Sequence, residues 1–423
     1  MLTTMPIKTL GRYIQMKKFL LTLALSAMIA LPLAAADWPH WLGPARNGSS
    51  PETGLLTTWP KAGPKVLWKY PGGDGYSTVA VANGRAITQV QHDGSEFVLA
   101  LDAVKGSKLW ETKIADAYKN PYGDGPRATP TLEGKFVYVY SPSGLLACLD
   151  AEKSAITWSV NLLKEFSSKA VTYGLSASPL VDGDLVYAIP GGKDAGVAAF
   201  NKVTGKLVWK AGDDKAAYAS PMIVTVAGQK QIIFFTAKGL LAVTADQGKE
   251  LWRVAWHSEY DCNICTPLLI GKDLLFVSSG EGNGGAMFKL SAASPEIAWE
   301  SKGAKSVMMN YWANAVEHNG YLYGISGEFN EKKMDLNCVN LKDGKLMWSQ
   351  KGFGKAAVTL ADGHLFITTK KGDLVLATAN PVKYEEKSRV ALLAENRTSP
   401  TIANQRLYLR DRKNIYCLDI AGK

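Results

Sequence analysis

Residues 199–209 read AFNKVTGKLVW. The segment runs from a small residue through a polar turn with glycine to a tryptophan, and versions of it recur along the chain. The tryptophans that close the copies are 43 to 51 residues apart and are Trp110, Trp158, Trp209, Trp252, Trp299 and Trp348. A period of about 40–50 residues built from short strands is typical of a β-propeller, in which each repeat forms one four-stranded blade.

A second phrase precedes each tryptophan segment and supplies the remaining strands. It reads small–Ser/Thr–Pro, then apolar residues, a Gly or Asn turn and an alternating apolar strand, as in ATPTLEGKFVYVY (128–140) and ASPLVDGDLVYAI (177–189). Such turns between alternating strands are hairpin signals. Because the phrase occurs eight times, we predict an all-β fold, an eight-bladed β-propeller of four-stranded antiparallel blades.

The two ends of the repeat array complement each other. The last copy ends in YCLDIAGK (416–423) with no tryptophan strand after it, and the first copy is preceded by an unmatched strand at 66–70. We predict that these pieces form the eighth blade and close the ring, which removes open sheet edges. In the repeat ATANPVKYEE (377–386), Glu385 occupies the expected tryptophan position, so this blade is expected to dock less well on its neighbour.

Residues 1–36 have the features of a leader. Met16 and two lysines form a basic start, residues 19–33 are apolar, and residues 34–36 are the alanines that a signal peptidase requires. We predict cleavage after Ala36 and a periplasmic or secreted protein, with no lipid anchor because no cysteine follows. Met1 and Met16 are both candidate starts. An uncleaved membrane anchor is the alternative, although the apolar stretch is short for a spanning helix.

Residues 37–64 lie between this leader and the propeller, which we place at 65–423. The segment is rich in Trp, Pro and Gly and has no strand period. Because Trp38, Trp41 and Trp59 need burial, we interpret it as an ordered strap laid over the ring rather than a flexible linker.

Charge and cysteine content restrict the classes of function. The formal net charge is +10 with no Lys/Arg run, so a nucleic-acid partner is not predicted. Cys148, Cys338 and Cys417 share one buried strand position and are expected to be packing groups. Cys262 and Cys265 form a C-x-x-C, for which a local disulfide is the first expectation. A zinc site would need further ligands, and a redox motif would need a helix start.

The repeat resembles the tryptophan-docking repeat of the pyrroloquinoline-quinone (PQQ) repeat superfamily, A-x-D/N-x-x-T-G-K-x-x-W. The residues that match it are Ala199, Asn201, Thr204, Gly205, Lys206 and Trp209. The opening DWPHWLGPARNGSS (37–50) also resembles exported PQQ-binding-like propellers. The superfamily includes quinoprotein dehydrogenases and non-enzymatic scaffolds, among them the propeller subunit of the outer-membrane β-barrel assembly machinery, so the resemblance leaves the function open.

The positions just before the small–Ser/Thr–Pro phrase are expected to converge on the propeller axis. They carry cationic and aromatic side chains, which suit a small anionic ligand because arginine can clamp a carboxylate at two points. We predict a binding site from Tyr76, Arg127, Ser176, Tyr218, Asn263, Trp312, Lys355 and Arg397, with Ile264, Tyr173, Asn310 and Tyr311 nearby. The alternative is a water-filled channel mouth with mixed polar residues.

Two functions are compatible with these residues. The first is a non-catalytic, monomeric scaffold that binds a periplasmic partner protein or a small anionic ligand in its funnel. The second is a PQQ-dependent dehydrogenase oxidising an alcohol or sugar. The resemblance implies that the second would use Ca²⁺ held by Glu, Asn and Asp, with an Asp base, but the candidate oxygen ligands are scattered: Asp261, Asn263, Glu281, Asn283 and Asn310. No catalytic residue or metal ligand set can be assigned, and the adjacent cysteines common in such enzymes are missing.

Overall fold

The computed structural model describes residues 36–328 and 330–422. The predicted leader (1–36) and its cleavage site lie outside them except for Ala36. Within this part of the chain the strands form eight sheets, seven of four antiparallel strands and one in which a fifth, parallel strand joins four antiparallel ones. The predicted eight-bladed propeller is thereby confirmed. Successive sheets are numbered here as blades 1 to 8.

The strands are short, from two to nine residues. Before blade 1 come β1 (Ser49–Ser50) and β2 (Val66–Pro71). Blades 1 and 2 contain β3 (Ala80–Ala82), β4 (Arg85–His92), β5 (Ser95–Asp102), β6 (Lys108–Asp116), β7 (Thr131–Glu133), β8 (Phe136–Tyr140), β9 (Leu145–Asp150) and β10 (Ala155–Asn161). Blades 3 and 4 contain β11 (Leu180–Asp182), β12 (Leu185–Ala188), β13 (Val197–Asn201), β14 (Leu207–Ala211), β15 (Met222–Val226), β16 (Gln229–Thr236), β17 (Gly239–Thr244) and β18 (Glu250–Ala255).

The second half of the ring repeats the pattern. Blades 5 and 6 contain β19 (Leu268–Ile270), β20 (Leu274–Ser279), β21 (Gly284–Lys289), β22 (Glu296–Lys302), β23 (Val316–His318), β24 (Tyr321–Ser326), β25 (Asp335–Asn340) and β26 (Leu346–Gln350). Blades 7 and 8 contain β27 (Ala356–Ala361), β28 (His364–Thr369), β29 (Asp373–Thr378), β30 (Glu386–Ala391), β31 (Thr401–Ala403), β32 (Arg406–Arg410) and β33 (Asn414–Asp419). The helical elements of the described residues are α1 (Leu162–Glu165) and two 3₁₀ turns, Glu259–Asp261 and Glu331–Lys333.

The repeating tryptophans join neighbouring blades. Six of them donate the indole N–H over 2.7–3.1 Å to a backbone carbonyl of the next blade: Trp68 to Ala103, Trp110 to Ala151, Trp158 to Lys202, Trp209 to Ala245, Trp299 to Leu341 and Trp348 to Asn380. A turn glycine beside four of these rings (Trp68, Trp158, Trp209 and Trp299) is needed for contact, since at Gly205 (φ 68°) a Cβ would overlap the Trp158 ring. Where the next turn contains Ser294 and Pro295 instead, Trp252 donates to Gln231 of its own blade (3.0 Å).

The ring closes as predicted, with strands from both ends of the chain in blade 8. Strand β2 pairs antiparallel with β33, and Trp68 lies opposite Cys417. This is the same register that places Trp158 opposite Cys148 and Trp348 opposite Cys338. The unmatched N-terminal strand therefore contributes a docking tryptophan to the seam.

Blade 7 is completed by a tryptophan from outside the repeat. Its register places Ser388, not Glu385, at the docking position, because Ser388 lies opposite Leu376 just before the bulge. The side chain that fills the space is Trp59 of the N-terminal segment, whose backbone N–H donates to Ser388 Oγ (3.0 Å). The Trp59 ring packs 6.4 Å from Phe366, which occupies the register position of Tyr323 in blade 6.

The N-terminal segment also enters the central channel. Trp38 bridges to Val81 of β3, Pro39 accepts from Leu132 of β7, and β1 pairs in parallel with β27. These partners are the innermost strands of blades 1, 2 and 7, so this part of the segment lies inside the ring rather than across it. We call residues 36–52 the plug.

Both ends of the plug lie at the face that carries the turns between first and second strands. There the Glu52 carboxylate accepts from Ala36 N (3.0 Å) and Gln405 N (2.7 Å). The plug turns back between residues 42 and 48, where Leu42 has φ 62° and its carbonyl accepts from Gly48 N (2.9 Å). It is thus a hairpin-like insertion that closes the channel from this face.

The five cysteines are free thiols, so the expected Cys262–Cys265 disulfide is wrong for this structure. The Cys262 thiol points to the Tyr260 carbonyl (3.6 Å), whereas that of Cys265 points to Ala313 (3.4 Å). Burial raises the pKa of Cys262 to about 11 and raises that of Cys265 further. Because the thiolate is the reactive form, neither group is prepared for nucleophilic or redox chemistry.

Candidate functional site

A funnel opens at the propeller face opposite the two ends of the plug. It encloses about 240 Å³, which is just below the range of about 300–1,000 Å³ that is typical of ligand pockets. The loops that precede the innermost strands form its wall, because every such loop ends at the axis. Seven predicted site residues line it: Tyr76, Arg127, Ser176, Tyr218, Trp312, Lys355 and Arg397. Ile264, Tyr173 and Tyr311 line it too; whether these residues bind a ligand stays a prediction.

Asn263 lies behind the wall, so its predicted place in the pocket is corrected. Its side chain is fully buried, and its amide donates to the carbonyls of Thr236 (2.8 Å) and Trp256 (3.0 Å). Its own backbone carbonyl accepts from Tyr218 N (3.0 Å). Asn263 therefore shapes the loop before β19, while its neighbour Ile264 faces the funnel, because adjacent residues of an extended loop point in opposite directions.

One side of the funnel is aromatic. Tyr173 contacts the edge of Tyr122 at 5.1 Å and lies 5.5 Å from Tyr218, whose hydroxyl accepts from Tyr173 N (3.4 Å). Burial raises the pKa of Tyr218, and burial with the Glu281 charge raises that of Tyr311. These phenols are therefore neutral hydrogen-bonding groups at physiological pH.

The three predicted cations lie on aromatic faces. The Arg127 guanidinium is 4.8 Å from the Tyr118 ring and 5.7 Å from Tyr76, the Arg397 guanidinium 5.2 Å from Tyr76. Lys355 lies 5.1 Å from the Tyr311 ring. Burial lowers the pKa of Arg127, but arginine stays charged at neutral pH. The funnel wall is therefore positively charged.

The arginines already make hydrogen bonds within the wall. Both terminal nitrogens of Arg127 donate to its own loop, one to Gly123 O (2.6 Å) and one to Gly125 O. Those of Arg397 donate to Glu395 (3.0 Å) and to Tyr122 O (3.2 Å). A two-point carboxylate clamp would have to use the remaining N–H groups. These arginines therefore contribute positive charge to the funnel, but their terminal nitrogens are not both free to bind a carboxylate.

The floor of the funnel is Trp41, at the tip of the plug. Its indole N–H donates to Thr266 Oγ1 (3.1 Å) on blade 5. Sequence reasoning missed this residue because the plug lies outside the repeat. The available signal was the aromatic content of DWPHW, which required burial without indicating where. Because Trp41 closes the channel, a ligand reaches the funnel from one face only.

Beneath the wall the recurrent Ser/Thr of the repeat phrase links successive blades. Thr129 N donates to Ser178 Oγ (2.9 Å), Ser178 N to Ser220 Oγ (2.8 Å), and Ser220 N to Thr266 Oγ1 (3.3 Å). Thr266 N continues the chain to Asn314 Oδ1 (3.2 Å). These hydroxyls satisfy buried amides, which otherwise cost stability. Their repetition is therefore explained by structure alone.

The residues do not form the calcium site of a PQQ enzyme. Within 36–328 and 330–422 no three His, Cys, Asp or Glu side chains are grouped so that they could hold a metal ion. The amide-bearing candidates have other roles: Asn310 donates to Ile325 O (2.9 Å) and Asn283 to Ser279 Oγ (3.2 Å), while Asn263 is buried as described. Calcium needs six to eight converging oxygens, and this donor set does not provide them.

Glu96 of β5 is a fully buried carboxylic acid close to Arg127. Burial raises its pKa to about 7, opposed by the Ser141 hydroxyl, which donates over 2.5 Å, and by Arg127. A raised folded-state pKa means that the unfolded chain ionises first as pH rises. We expect stability to fall between about pH 4.5 and pH 7, by on the order of 3 kcal/mol for this group.

The test is urea unfolding of wild type and Glu96→Gln at pH 4.5 and pH 8. From pH 4.5 to pH 8, the unfolding free energy of wild type should fall by more than that of Glu96→Gln. Equal pH dependence of the two proteins would show that Glu96 does not titrate in this range.

Comparison with known proteins relates the fold to two groups. A family model described as outer membrane protein assembly factor BamB matches residues 94–326 and 332–421. BamB of Moranella endobia (strain PCIT) is 24% identical over 329 residues, covering 73% of this chain and 78% of that protein. Among solved structures, BamB from Moraxella catarrhalis superposes with a TM-score of 0.59 at 15% identity, covering 84% of this chain and 100% of that one.

Enzymes share the fold as well. Quinohemoprotein alcohol dehydrogenase from Comamonas testosteroni superposes with a TM-score of 0.66 at 14% identity, covering 91% of this chain and 80% of that one. At such low identity the likeness shows the fold alone, and fold does not determine function. In the described residues no helix has the length and apolar character needed to cross a membrane.

Proposed function

This chain belongs to the family of outer membrane protein assembly factor BamB, and on that premise we propose that it is an exported, periplasmic, non-catalytic propeller that binds a partner protein at its funnel face. The observation that carries the proposal is a cationic and aromatic funnel that is closed at its floor. The arginine and asparagine side chains in and behind its wall already make hydrogen bonds within the protein. Such a site recognises a surface without preparing a reaction. The family name supports a partner in outer-membrane protein assembly.

The funnel rim has the chemistry of a protein interface. Tyr122 is 56% exposed and Tyr260, in the loop before β19, is 68% exposed. Tyrosine and arginine are enriched among the residues that dominate the binding energy of protein interfaces. Tyr260 also has φ 59°, a strained conformation for a non-glycine residue, and such strain is common at binding sites. We infer that a partner segment contacts the rim and ends in the funnel.

The proposal is tested by photo-crosslinking in cells. A photoreactive phenylalanine replaces Tyr122, Tyr260 or, as control, Val382, which is 81% exposed at the opposite face. We expect the two rim positions to label the same protein and Val382 to leave it unlabelled. Labelling of the same protein from Val382, or no labelling from the rim, would contradict the proposed interface.

The second candidate is capture of a small planar anion such as PQQ, favoured by three cations on aromatic faces and by Trp312 in the wall. It is tested by absorbance titration with PQQ, with and without Ca²⁺, followed by dye-linked oxidation of ethanol or glucose. We expect no dye reduction, because the calcium ligands do not converge. Calcium-dependent dye reduction would replace the scaffold proposal with the dehydrogenase.

A further inference from the structure

A second concave surface lies on the funnel face between blades 6 and 7. It encloses about 640 Å³ and is formed by the loop 351–355 before β27, the turn after β28, and residues of the loop after β24. We call it the basic groove because its cationic side chains are Lys332, Lys351, Lys355, Lys370, Lys371 and Arg389. Lys355 lines the funnel as well, so the two surfaces are continuous.

Acidic groups in and beside the groove neutralise only part of this charge. Among the described lining residues Asp373 is the one carboxylate, and it lies 3.1 Å from Arg389. Lys351 contacts Asp335 (2.8 Å), and Arg389 also contacts Glu386 (2.8 Å). Lys332 and Lys371, one on each wall, have no carboxylate partner among the described residues, so the groove attracts an anionic occupant.

An aromatic side chain, Phe353, lines the groove. The Phe353 ring lies 5.5 Å from the Arg389 guanidinium and meets Tyr384 edge-on at 6.1 Å. Glycines stand on both sides of it, and at Gly352 an added Cβ would meet open space. The groove therefore combines charge with an apolar contact and an accessible backbone, which suits a peptide better than a simple inorganic anion.

We propose that the basic groove binds an acidic, extended peptide segment of the partner protein, with an apolar side chain of that segment on Phe353 and its continuation entering the funnel at Lys355. The proposal rests on the proposed function, since it specifies which part of a partner is recognised. The concave shape argues against a membrane surface, because a planar array of headgroups would not reach lysines on both walls of a groove.

The experiment uses the full propeller and defined probes. Fluorescence anisotropy measures binding of a short fluorescein-labelled Asp/Glu peptide with one central phenylalanine. We expect Lys332→Glu/Lys371→Glu, which reverses one charge on each wall, to weaken binding about tenfold or more, since like charges repel across an interface. The matched control is Lys206→Glu/Lys210→Glu, the same charge change at and before the outer strand of blade 3, which should leave the affinity within about twofold once salt screening is constant.

The apolar part is tested on the peptide, so that folding of the protein is not affected. Replacing the peptide phenylalanine by glycine should weaken binding to wild type, because the contact with Phe353 is lost. Equal affinity of both peptides, or equal weakening by the groove and control variants, would overturn the proposal. Tighter binding of polygalacturonate, or of phosphatidylglycerol vesicles, than of the peptide would overturn it in favour of a polysaccharide or a membrane.

The two proposals fail in different ways. If wild type crosslinks a partner from Tyr122 and the groove variant retains that crosslink at full yield, the interface at the funnel stands and the groove is not part of it. If wild type gives no crosslink but binds the acidic peptide through the groove, the groove site stands and the partner assignment fails.

Discussion

Replacing Trp59 with alanine is expected to lower the free energy of unfolding by about 3–5 kcal/mol, the range for removal of a buried tryptophan. Trp59 is 7% exposed and takes the place of the docking tryptophan that blade 7 lacks. It packs in one cluster with Leu55, Leu376 and Ile420, so it joins blades 7 and 8. Its loss leaves a cavity next to the seam where the ring closes. Equilibrium urea unfolding measures the effect.

Two further variants separate docking from simple burial. Trp59→Phe should cost much less, because the Trp59 indole N–H is buried without a hydrogen-bond partner among the described residues and its removal leaves nothing newly unsatisfied. Ser388→Trp should destabilise the wild type by crowding Trp59 yet restore part of the stability lost in Trp59→Ala, because position 388 has the docking register. Independent, additive effects of these substitutions would contradict the replacement of one tryptophan by the other.

The same residue shows what the sequence could and could not predict. The period gave the blades, the closing strand and seven funnel residues, because equivalent positions of a repeat occupy equivalent places in the ring. The spacing of the repeat predicts Glu385 at the docking position, but the longer turn of this repeat shifts the register to Ser388. Trp41 and Trp59 come from a segment without periodicity, and their places depend on long-range packing that no local pattern encodes.

The plug gives the propeller two unequal faces. Residues 36–52 close the channel from one face with Trp41 as their tip, while Arg127, Lys355 and Arg397 surround the opening at the other. A partner is therefore expected to bind the funnel face, whereas Ala36, the first described residue, lies on the opposite face next to Glu52.

Replacing Arg410 with methionine is expected to destabilise the protein by more than about 4 kcal/mol, because it would remove at least four buried hydrogen bonds from a charged donor, which contribute roughly 1.5–3 kcal/mol each. Arg410 of β32 is 1% exposed. Its guanidinium donates to the carbonyls of Ser77 (3.0 Å), Asp74 (3.0 Å) and Gln89, and to Thr88 Oγ1 (3.0 Å). These acceptors belong to blade 1 and the chain leading into it. One side chain of blade 8 therefore makes hydrogen bonds to blade 1 across the seam where the ring closes.

The neighbouring Arg412 is the matched control for this substitution. It makes a single exposed ion pair with Asp74 (3.0 Å), and such pairs contribute about 0–1 kcal/mol, so Arg412→Ala should unfold almost like wild type. Arg410→Lys keeps the charge, but one ammonium group cannot reach four acceptors. Its free energy of unfolding should therefore lie between those of Arg410→Met and Arg412→Ala. Where Arg410→Met gives no soluble protein, the lysine variant still reports on the seam through its urea midpoint and its rate of proteolysis. An Arg410→Lys midpoint equal to that of Arg412→Ala would show that the blades close the ring without this fork of hydrogen bonds.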